Sequence, residues 1–313
     1  MRCDSVGPVE RSLPDGLIVR DGTDTDIEAI VALMCQADDA RVMSVAGVQE
    51  RRKTRPERAK IVDVVAEKDG VVVSAGAAGL QIDTTTEGAG WAFVTVDADR
   101  RCQGIGDAVG AKLLDHLRAA GATSATSLIR WSEEGERWAL ARGWSRLLSG
   151  PVIALDPRSV PEPSLPPGFR CVPMSEVSPE TAFEAVREAA LDEPNPVPHD
   201  AMPFDDFLHD WSDPDTAFDA STAVLDEAGS VAAFAFINIV GSRGQHGFTG
   251  TVRNHRGRGL ATAAKRRALR AAAARGVTRV TTSNAEENKA MLAINRRLGF
   301  EPIGEVVILG RDL

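Results

Sequence analysis

The chain has no tyrosine, and aromatic residues make up only 5% of its 313 residues. No phenol hydroxyl can therefore serve this protein as an acid or a base. Cysteine is also scarce, since Cys3, Cys35, Cys102 and Cys171 are scattered along the chain without C-x-x-C spacing. This spacing predicts neither a metal site nor a disulfide framework, and a reducing cytoplasm is the expected compartment.

Long apolar runs are missing as well. The longest, Val71–Leu80 and Val231–Val240, have ten residues each, about half of the ~20 that a membrane span needs. The N-terminal Met1–Ser5 segment contains no apolar signal region, so we expect no membrane partner. With 43% hydrophobic residues, the chain can instead bury two ordinary cores, and its length suggests about two domains.

Acidic residues outnumber basic ones and give a net charge of −9, which argues against a general nucleic-acid binder. The charges are unevenly placed. Residues 176–227 contain 15 acidic side chains and one basic one, whereas residues 253–297 contain 12 basic and two acidic ones. Two solvated helix faces would explain this pattern. Alternatively, the basic stretch faces a phosphate-bearing ligand and the acidic stretch faces a cationic amine.

The segment from Thr249 to Phe300 organises the rest of the chain. Its residues predict a strand, a glycine turn, an Ala/Arg-rich helix, a second strand and a last helix. Gly257 and Gly259 in the turn allow the backbone to approach a ligand closely. The helix that follows presents unpaired N–H groups at its start, and with the helix dipole these groups form a ready phosphate site.

Four landmarks of the first half of the chain recur in the second half, in the same order and at offsets between 152 and 159 residues. They are Leu13–Gly16 with Leu165–Gly168, the hairpin turn Lys68–Gly70 with Glu227–Gly229, the turn Arg101–Gly106 with Arg256–Ala261, and Arg142–Trp144 with Leu298–Phe300. This recurrence predicts two duplicated domains, residues 1–155 and 168–313. Residues 156–167, with five prolines, are expected to form a stiff, extended linker between them.

The motif Arg256-x-x-Gly259-x-Ala261 after a strand, with a last helix that ends at Leu298-Gly299-Phe300, resembles the GNAT superfamily of N-acetyltransferases. The resemblance implies an α+β fold of two tandem GNAT domains, each a mixed, mostly antiparallel sheet flanked by helices. It also implies acetyl-CoA as the acyl donor and no metal. In that family the glycine turn holds the pyrophosphate, and the pantetheine arm lies between two strands that splay apart.

The resemblance assigns the contacts to acetyl-CoA by position in the motif. They fall on Thr251, Val252, Arg256, Gly257, Arg258, Gly259, Leu260, Ala261, Thr262 and Asn288. A helix N-cap is the alternative for Asn288, and the two roles are compatible. The N-terminal turn is complete at Arg101, Gly104 and Gly106, which leaves open a second site for coenzyme A. Cys102 within that turn is expected to be a small buried residue rather than a nucleophile.

Many GNAT relatives carry a tyrosine four residues before the glycine of the terminal motif, as the acid for the leaving thiolate. Asn295 stands at that position here, and Ala139 stands at the corresponding N-terminal position. The acid role must therefore fall to water or to another side chain, while Asn295 either orients the acyl group or is a packed polar helix residue. His246 is a candidate base, and an exposed loop histidine is the alternative.

The acidic stretch supplies the candidate acceptor site. Asp205, Asp206 and Asp210 are expected either to bind an ammonium group or to form a solvated helix face.

Positioning and backbone donors can supply much of the acceleration of acetyl transfer. The sequence thus predicts an acetyl-CoA-dependent N-acetyltransferase that acts on a small-molecule primary amine by direct attack on the thioester, with the C-terminal domain catalytic. The alternative is a sensor or scaffold that binds acyl-CoA without turnover. Mycothiol synthases share this tandem architecture, but this chain lacks their C-terminal tyrosine, so that substrate is not implied.

Overall fold

The computed structural model describes residues 14–313, and the Met1–Ser5 segment and Cys3 lie outside it. The N-terminal half forms β1 (Leu17–Asp21), α1 (Ile27–Ala37), α2 (Val45–Lys53), β2 (Val62–Lys68), β3 (Val71–Leu80), β4 (Ala89–Val96), α3 (Ile105–Ala120), β5 (Ser124–Arg130), α4 (Glu133–Leu140) and β6 (Ser145–Leu155). The C-terminal half forms β7 (Arg170–Pro173), α5 (Pro179–Ala190), α6 (Phe204–Trp211), β8 (Thr222–Leu225), β9 (Val231–Val240), β10 (Arg243–Thr251), α7 (Leu260–Ala274), β11 (Arg279–Ser283), α8 (Lys289–Leu298) and β12 (Glu301–Asp312). Over the described residues both halves show the same order of helices and strands, which confirms the duplicated α+β fold.

The chain divides into two compact units that do not follow its two halves. The first unit comprises the chain up to Asp39, Arg55–Gly150 and Gly304–Leu313, and the second comprises Ala40–Thr54 and Pro151–Ile303. The predicted boundary at residues 156–167 therefore separates the two sequence repeats. The compact units differ from the repeats, because each unit includes a segment from the other half of the chain. Internal repeats cannot reveal this exchange, because it depends on which distant strands pair.

Each unit contains a mixed sheet. The strand order is β1–β2–β3–β4–β5–β12 in the first unit and β6–β11–β10–β9–β8–β7 in the second. Residues 306–312 of β12 pair with β5, and residues 152–155 of β6 pair with β11. The last strand of each half thus completes the sheet that the other half begins. The pairs β4–β5 and β10–β11 are parallel, and the other pairs described within each unit are antiparallel.

Helices cover opposite faces of the sheet in the second unit. Along β9, Ala233, Ala235 and Ile237 pack into a core with α7. We call this side of the sheet the α7 face. Phe234 points the other way, into a core formed with α5 and α6, because side chains alternate across a strand. In the first unit α3 packs its apolar face, including Val109 at 0% exposure, against the sheet.

A segment from the N-terminal half also belongs to the second unit. The backbone N–H of Ser44 donates to Asp215 Oδ2 at 3.0 Å, and Arg51 pairs with Asp213. At its start, the carbonyl of Ala40 accepts a hydrogen bond of 2.7 Å from Thr281 Oγ1. Residues 40–54 therefore reach the strands that form the candidate site described below, a contribution that the sequence did not predict.

Two further properties bear on the sequence predictions. Across residues 14–313, none of the helices combines the length and apolar character needed to cross a bilayer. Cys35 and Cys171 are free thiols.

Candidate active site

Strands β10 and β11 are joined only at their beginning. Three parallel pairs, from Arg243–Arg279 to Gln245–Thr281, hold them together. Just beyond, the register of β10 against β9 is irregular between His246 and Thr249, which is where a β-bulge bends a strand. The two strands therefore part and leave a gap, whose closed end at His246 and Thr282 we call the apex.

The backbone of Thr251 faces this gap. The N–H of its neighbour Val252 donates to the carbonyl of Ala232 in β9 at 3.0 Å. Because N–H and C=O groups alternate in direction along an antiparallel pair, those of Thr251 point away from β9. The Val252 carbonyl accepts from the His255 N–H at 2.9 Å, so both backbone groups of Val252 are used within the protein. Of the two predicted backbone sites, Thr251 is thus the one with a group available to a ligand, and that group is its N–H, because its carbonyl accepts a hydrogen bond from Arg256.

The glycine turn opens beside the wide end of the gap. Gly257 and Gly259 have φ values of 74° and 78°, in the left-handed region that favours glycine. Gly259 is the N-cap of α7, and no side chain caps this helix. A Cβ added at either glycine would meet no atom within 4 Å. Open space thus lies beside N–H groups that have no intrahelical partner, as binding of a phosphate requires.

Two arginines at the turn share one carboxylate. Arg253 donates to Asp192 from Nε and Nη2 at 3.0 and 2.9 Å, and Arg256 donates to it from Nη2 at 2.6 Å. Hydrogen bonds from Arg253 and then Arg256 hold the pKa of Asp192 well below its usual range. Arg256 also donates from Nε to the Thr251 carbonyl at 3.0 Å, which ties the turn to the edge of the gap.

His246 lies inside β10, with 4% of its surface exposed. The alternative of an exposed loop histidine was wrong. The polar residues before His246 suggest a loop, but β10 already begins at Arg243. The His246 Nδ1 is 3.1 Å from the Phe236 carbonyl, to which it donates, so Nε2 is the acceptor, and this atom is buried without a partner. Burial, with the nearby Lys265 ammonium as a second cause, holds the pKa of His246 well below its ordinary value.

Lys265 is the other buried basic group on this side. Only 1% of its surface is exposed, and its Nζ lies 5.6 Å from the centre of the Phe300 ring. The His246 ring lies 6.4 Å from the same aromatic ring. Burial lowers the pKa of Lys265 to about 7, because the charged form is poorly solvated there.

Two other basic residues of α7 also make contacts away from the turn. Arg267 donates to Thr222 Oγ1 at 3.2 Å, and Arg270 donates to the carbonyl of Val160 at 3.1 Å. The interpretation that the basic stretch forms one side facing phosphates is therefore wrong for Arg267 and Arg270. A helical pattern shows which residues share a face but not what that face packs against.

Asn295 is fully buried on α8. Its Nδ2 donates to Asn284 Oδ1 at 2.7 Å, whereas its Oδ1 has no partner. On β10, His246 Nε2 and Thr249 Oγ1 are likewise buried and without partners. Buried polar atoms are normally hydrogen-bonded, and each exception needs an explanation. Three such atoms on the elements around the gap fit an extended ligand that carries amide and hydroxyl groups.

Asn288 is a helix cap, the alternative to a ligand contact. It is the N-cap of α8, and its Oδ1 accepts a hydrogen bond of 3.2 Å from the Met291 N–H. Ser132 caps α4 in the same way, through the Gly135 N–H at 3.1 Å. Of these two caps, the sequence identified the one at Asn288.

The N-terminal copy repeats the turn but not its surroundings. Gly104 has φ 81° and caps α3, and Arg101 Nε donates to the Val96 carbonyl at 3.3 Å. However, β4 pairs with β3 in regular register from Gly90 to Val96, without a bulge. The backbone conformation of the turn is thus common to both copies, while the bulged strand is found only in the C-terminal one.

Side chains also fill the space between α3 and α4. A Cβ at Gly106 would lie 3.6 Å from the Trp138 ring. Arg142 lies over that ring, 4.6 Å from its centre, and its Nη2 donates to Asp107 Oδ2 at 2.7 Å. The corresponding residues of α7 and α8 are Thr262 and Leu298, which cannot form this ion pair. The open arrangement of a turn beside a gap therefore belongs to the second unit.

The three predicted acceptor residues lie on α6. Asp205 and Asp210 are exposed and Asp206 is half-buried. The apolar side of this helix packs through Phe207, whose ring lies 5.3 Å from that of Phe183 and 5.2 Å from that of Trp211. The carboxylates thus occupy the more polar side of an amphipathic helix.

Comparisons with known proteins agree with this geometry. Residues 183–300 match the model of the family described as Acetyltransferase (GNAT) family. A GCN5-related N-acetyltransferase from Sphaerobacter thermophilus aligns with 96% of this chain and 97% of its own, at a TM-score of 0.72 and 20% identity. A tandem GNAT protein from the clavulanic acid biosynthesis pathway aligns with 95% of this chain and 98% of its own, at a TM-score of 0.72 and 21% identity.

Similarity to a third structure is weaker. A GCN5-related N-acetyltransferase from Kribbella flavida aligns with 86% of this chain and 96% of its own, at a TM-score of 0.52 and 20% identity. Among curated proteins, none matches this chain in sequence. At these identities the structural matches show the fold, and the family match falls on the half that contains the open glycine turn.

Proposed function

We propose, from the premise that residues 183–300 form a GNAT-family domain within a tandem GNAT fold, that the protein transfers an acetyl group from acetyl-CoA to the primary amine of a small molecule. The observation that carries this proposal is the open glycine turn beside the gap between β10 and β11. The turn offers uncapped helix N–H groups, and the gap offers buried polar atoms that lack partners.

The residues around the turn and the gap fit acetyl-CoA. The N–H groups at the start of α7 would hold the pyrophosphate, and the Thr251 N–H with the Asn295 Oδ1 would hold the amides of the arm. When bound, acetyl-CoA supplies the activated acetyl group as a thioester. The bulge between His246 and Thr249 is the part of β10 that would place backbone donors beside the reacting carbonyl.

His246 has an orienting role in this proposal. Because burial holds its pKa well below the ordinary value, its imidazole stays neutral and is a poor proton acceptor at physiological pH. Its unpartnered Nε2 can instead accept a hydrogen bond from an N–H or O–H group of a ligand at the apex. The attacking amine would then lose its proton to water.

The first test measures thioester cleavage. We expect that purified protein, acetyl-CoA and a panel of primary amines will release coenzyme A thiol at a rate that depends on one class of amine. A thiol-reactive dye follows the release, and mass spectrometry of the acetylated amine checks the product. Saturable acetyl-CoA binding with no amine-dependent release would contradict the proposal and support a sensor or scaffold that binds acyl-CoA.

The acidic residues of α6 are proposed to favour a cationic acceptor. We expect Asp205→Asn combined with Asp206→Asn to raise the KM for the amine several-fold, on the order of 1 kcal/mol for partly exposed charges. The KM for acetyl-CoA should stay unchanged. The effect should shrink with added salt, because exposed charges are screened beyond ~10 Å at 0.1 M.

A matched control for this experiment removes two other acidic charges. Glu176→Gln with Glu180→Gln changes exposed residues of the same acidic stretch, outside α6, and should leave both KM values unchanged. If both double variants raise the KM for the amine equally, the effect comes from net charge and α6 is only a solvated surface.

A further inference from the structure

We propose that Lys265 donates a proton to the thiolate that leaves during acetyl transfer, and that it does so from the apex of the gap. This chain has no tyrosine for that role. The inference rests on the proposed function, since it assigns a step of that reaction to a residue.

The position of Lys265 follows from the packing of the α7 face. A Cβ at Gly244 would contact Ile237, Val277 and Val280, which all belong to the core under α7. His246 comes two residues later and before the bulge, so its side chain points to the same face. Lys265 Nζ and the His246 ring then meet against the Phe300 ring, at 5.6 and 6.4 Å from its centre. The ammonium therefore lies at the apex, on the side of the sheet where α7 begins.

A ligand bound at the turn would extend toward this point. Val252 comes six positions after His246, just past the end of β10, which corresponds to about 20 Å at ~3.3 Å per strand residue. The glycine turn is at the wide end of the gap, so the far end of an extended arm would lie near the apex. In the acyl donor, that end carries the sulfur.

Lys265 has no ionic partner that would explain its burial. Its Nζ lies over the face of Phe300, and no carboxylate in the described part of the chain pairs with it. The titratable group that faces it is His246 on β10. Buried lysines are rare unless they are paired. A buried, unpaired ammonium is therefore suited to meet an anion that forms only during a reaction.

The N-terminal copy lacks this group. Gly110 stands at the position of Lys265, and a Cβ there would lie 3.9 Å from Trp138. The lysine is thus confined to the copy that has the open turn and the bulged strand. This distribution is expected for a residue that serves a reaction and not for one that the fold itself requires.

The step balances in atoms and electrons. The amine nitrogen bonds to the acetyl carbon, the carbon–sulfur bond breaks, and its electron pair stays on sulfur. Sulfur then takes a proton from Lys265 Nζ, the nitrogen loses its surplus proton to water, and a solvent proton restores the ammonium. Because burial lowers the pKa of Lys265 to about 7, its proton is held weakly enough to pass to a thiolate, whose ordinary pKa is about 8.5.

The test titrates the thiol of bound coenzyme A by the ultraviolet absorbance of its thiolate. An ammonium beside the sulfur should lower the pKa of the bound thiol in the wild-type complex by about one unit or more, because a nearby cation favours the thiolate. In Lys265→Met this shift should disappear and turnover should fall at least about tenfold. Lys265→Arg should keep the lowered thiol pKa but lose turnover, because arginine cannot release its proton.

Controls separate this proposal from the one on which it rests. Lys112→Met makes the same change on α3, where the ammonium pairs with Asp21 at 3.1 Å, and should alter neither readout. Calorimetry with coenzyme A should give similar affinities for all variants. An unshifted thiol pKa in the wild-type complex, or an unchanged rate in Lys265→Met, overturns the role of Lys265 and leaves acetyl transfer standing. Failure of the wild-type protein to bind coenzyme A overturns both proposals.

Discussion

Gly259→Val will weaken binding of coenzyme A to the C-terminal turn by at least about a hundredfold, or about 2.8 kcal/mol at 1.4 kcal/mol per tenfold change. The added side chain would occupy the open space beside the first N–H groups of α7, where a Cβ would meet no protein atom within 4 Å. A β-branched residue is also disfavoured at φ 78°, by roughly 1–2 kcal/mol for a left-handed residue. Isothermal titration calorimetry on the folded variant measures the loss, and turnover should disappear with it.

Two variants give this prediction its controls. Gly276→Val imposes the same strain at φ 84°, in equally open space just beyond the other end of α7, and should bind coenzyme A like the wild type. Gly104→Val alters the N-terminal turn and should leave most turnover intact. If Gly104→Val removes turnover while Gly259→Val keeps it, the two copies have the opposite roles.

Lys265→Met should make the folded protein more stable at pH 6, by up to about 5 kcal/mol. Burial lowers the pKa of Lys265 from 10.5 to about 7, which corresponds to about 5 kcal/mol at 1.36 kcal/mol per pKa unit. Between these two pH values the unfolded lysine binds a proton that the folded one has released, so the stability of the wild type rises with pH. The destabilisation is fully present below pH ~7 and vanishes toward the pKa of the unfolded residue.

Urea unfolding at pH 6, 8 and 10 measures this difference. The gain in Lys265→Met should be largest at pH 6 and small at pH 10, because methionine has no charge to bury. Lys112→Met, which removes a half-exposed ammonium, should show no such trend. A Lys265→Met protein that is less stable than the wild type at pH 6 would contradict the burial of an unpaired ammonium. Confirmation would show that the apex retains a group that costs stability, as functional sites often do.

The glycine turn was predictable because its requirements are local. Positive φ at Gly257 and Gly259 and an uncapped helix start follow from residue types a few positions apart. The same holds for β9, whose bounds of Val231–Val240 coincide with an apolar run that turn residues delimit. The Asn288 cap also depends only on its neighbours.

Other parts of the site could not be read in this way. The sequence placed Lys265 in a basic cluster, and the structure buries it against Phe300. Asp192 was one of many acidic residues, and only folding brings it to Arg253 and Arg256. The bulge that opens β10 follows from pairing with β9 and leaves no clear mark on the residues themselves.

The sequence by itself determined the duplicated α+β architecture, the glycine turn and the helix that starts there, because propensity, periodicity and backbone conformation act over a few residues. Tertiary structure alone decided which strands complete each sheet, since β12 pairs with β5 and β6 pairs with β11. It also decided that residues 40–54 join the second unit and that Lys265 faces the apex. Burial and strand pairing depend on residues far apart in the chain, so the local pattern cannot set them.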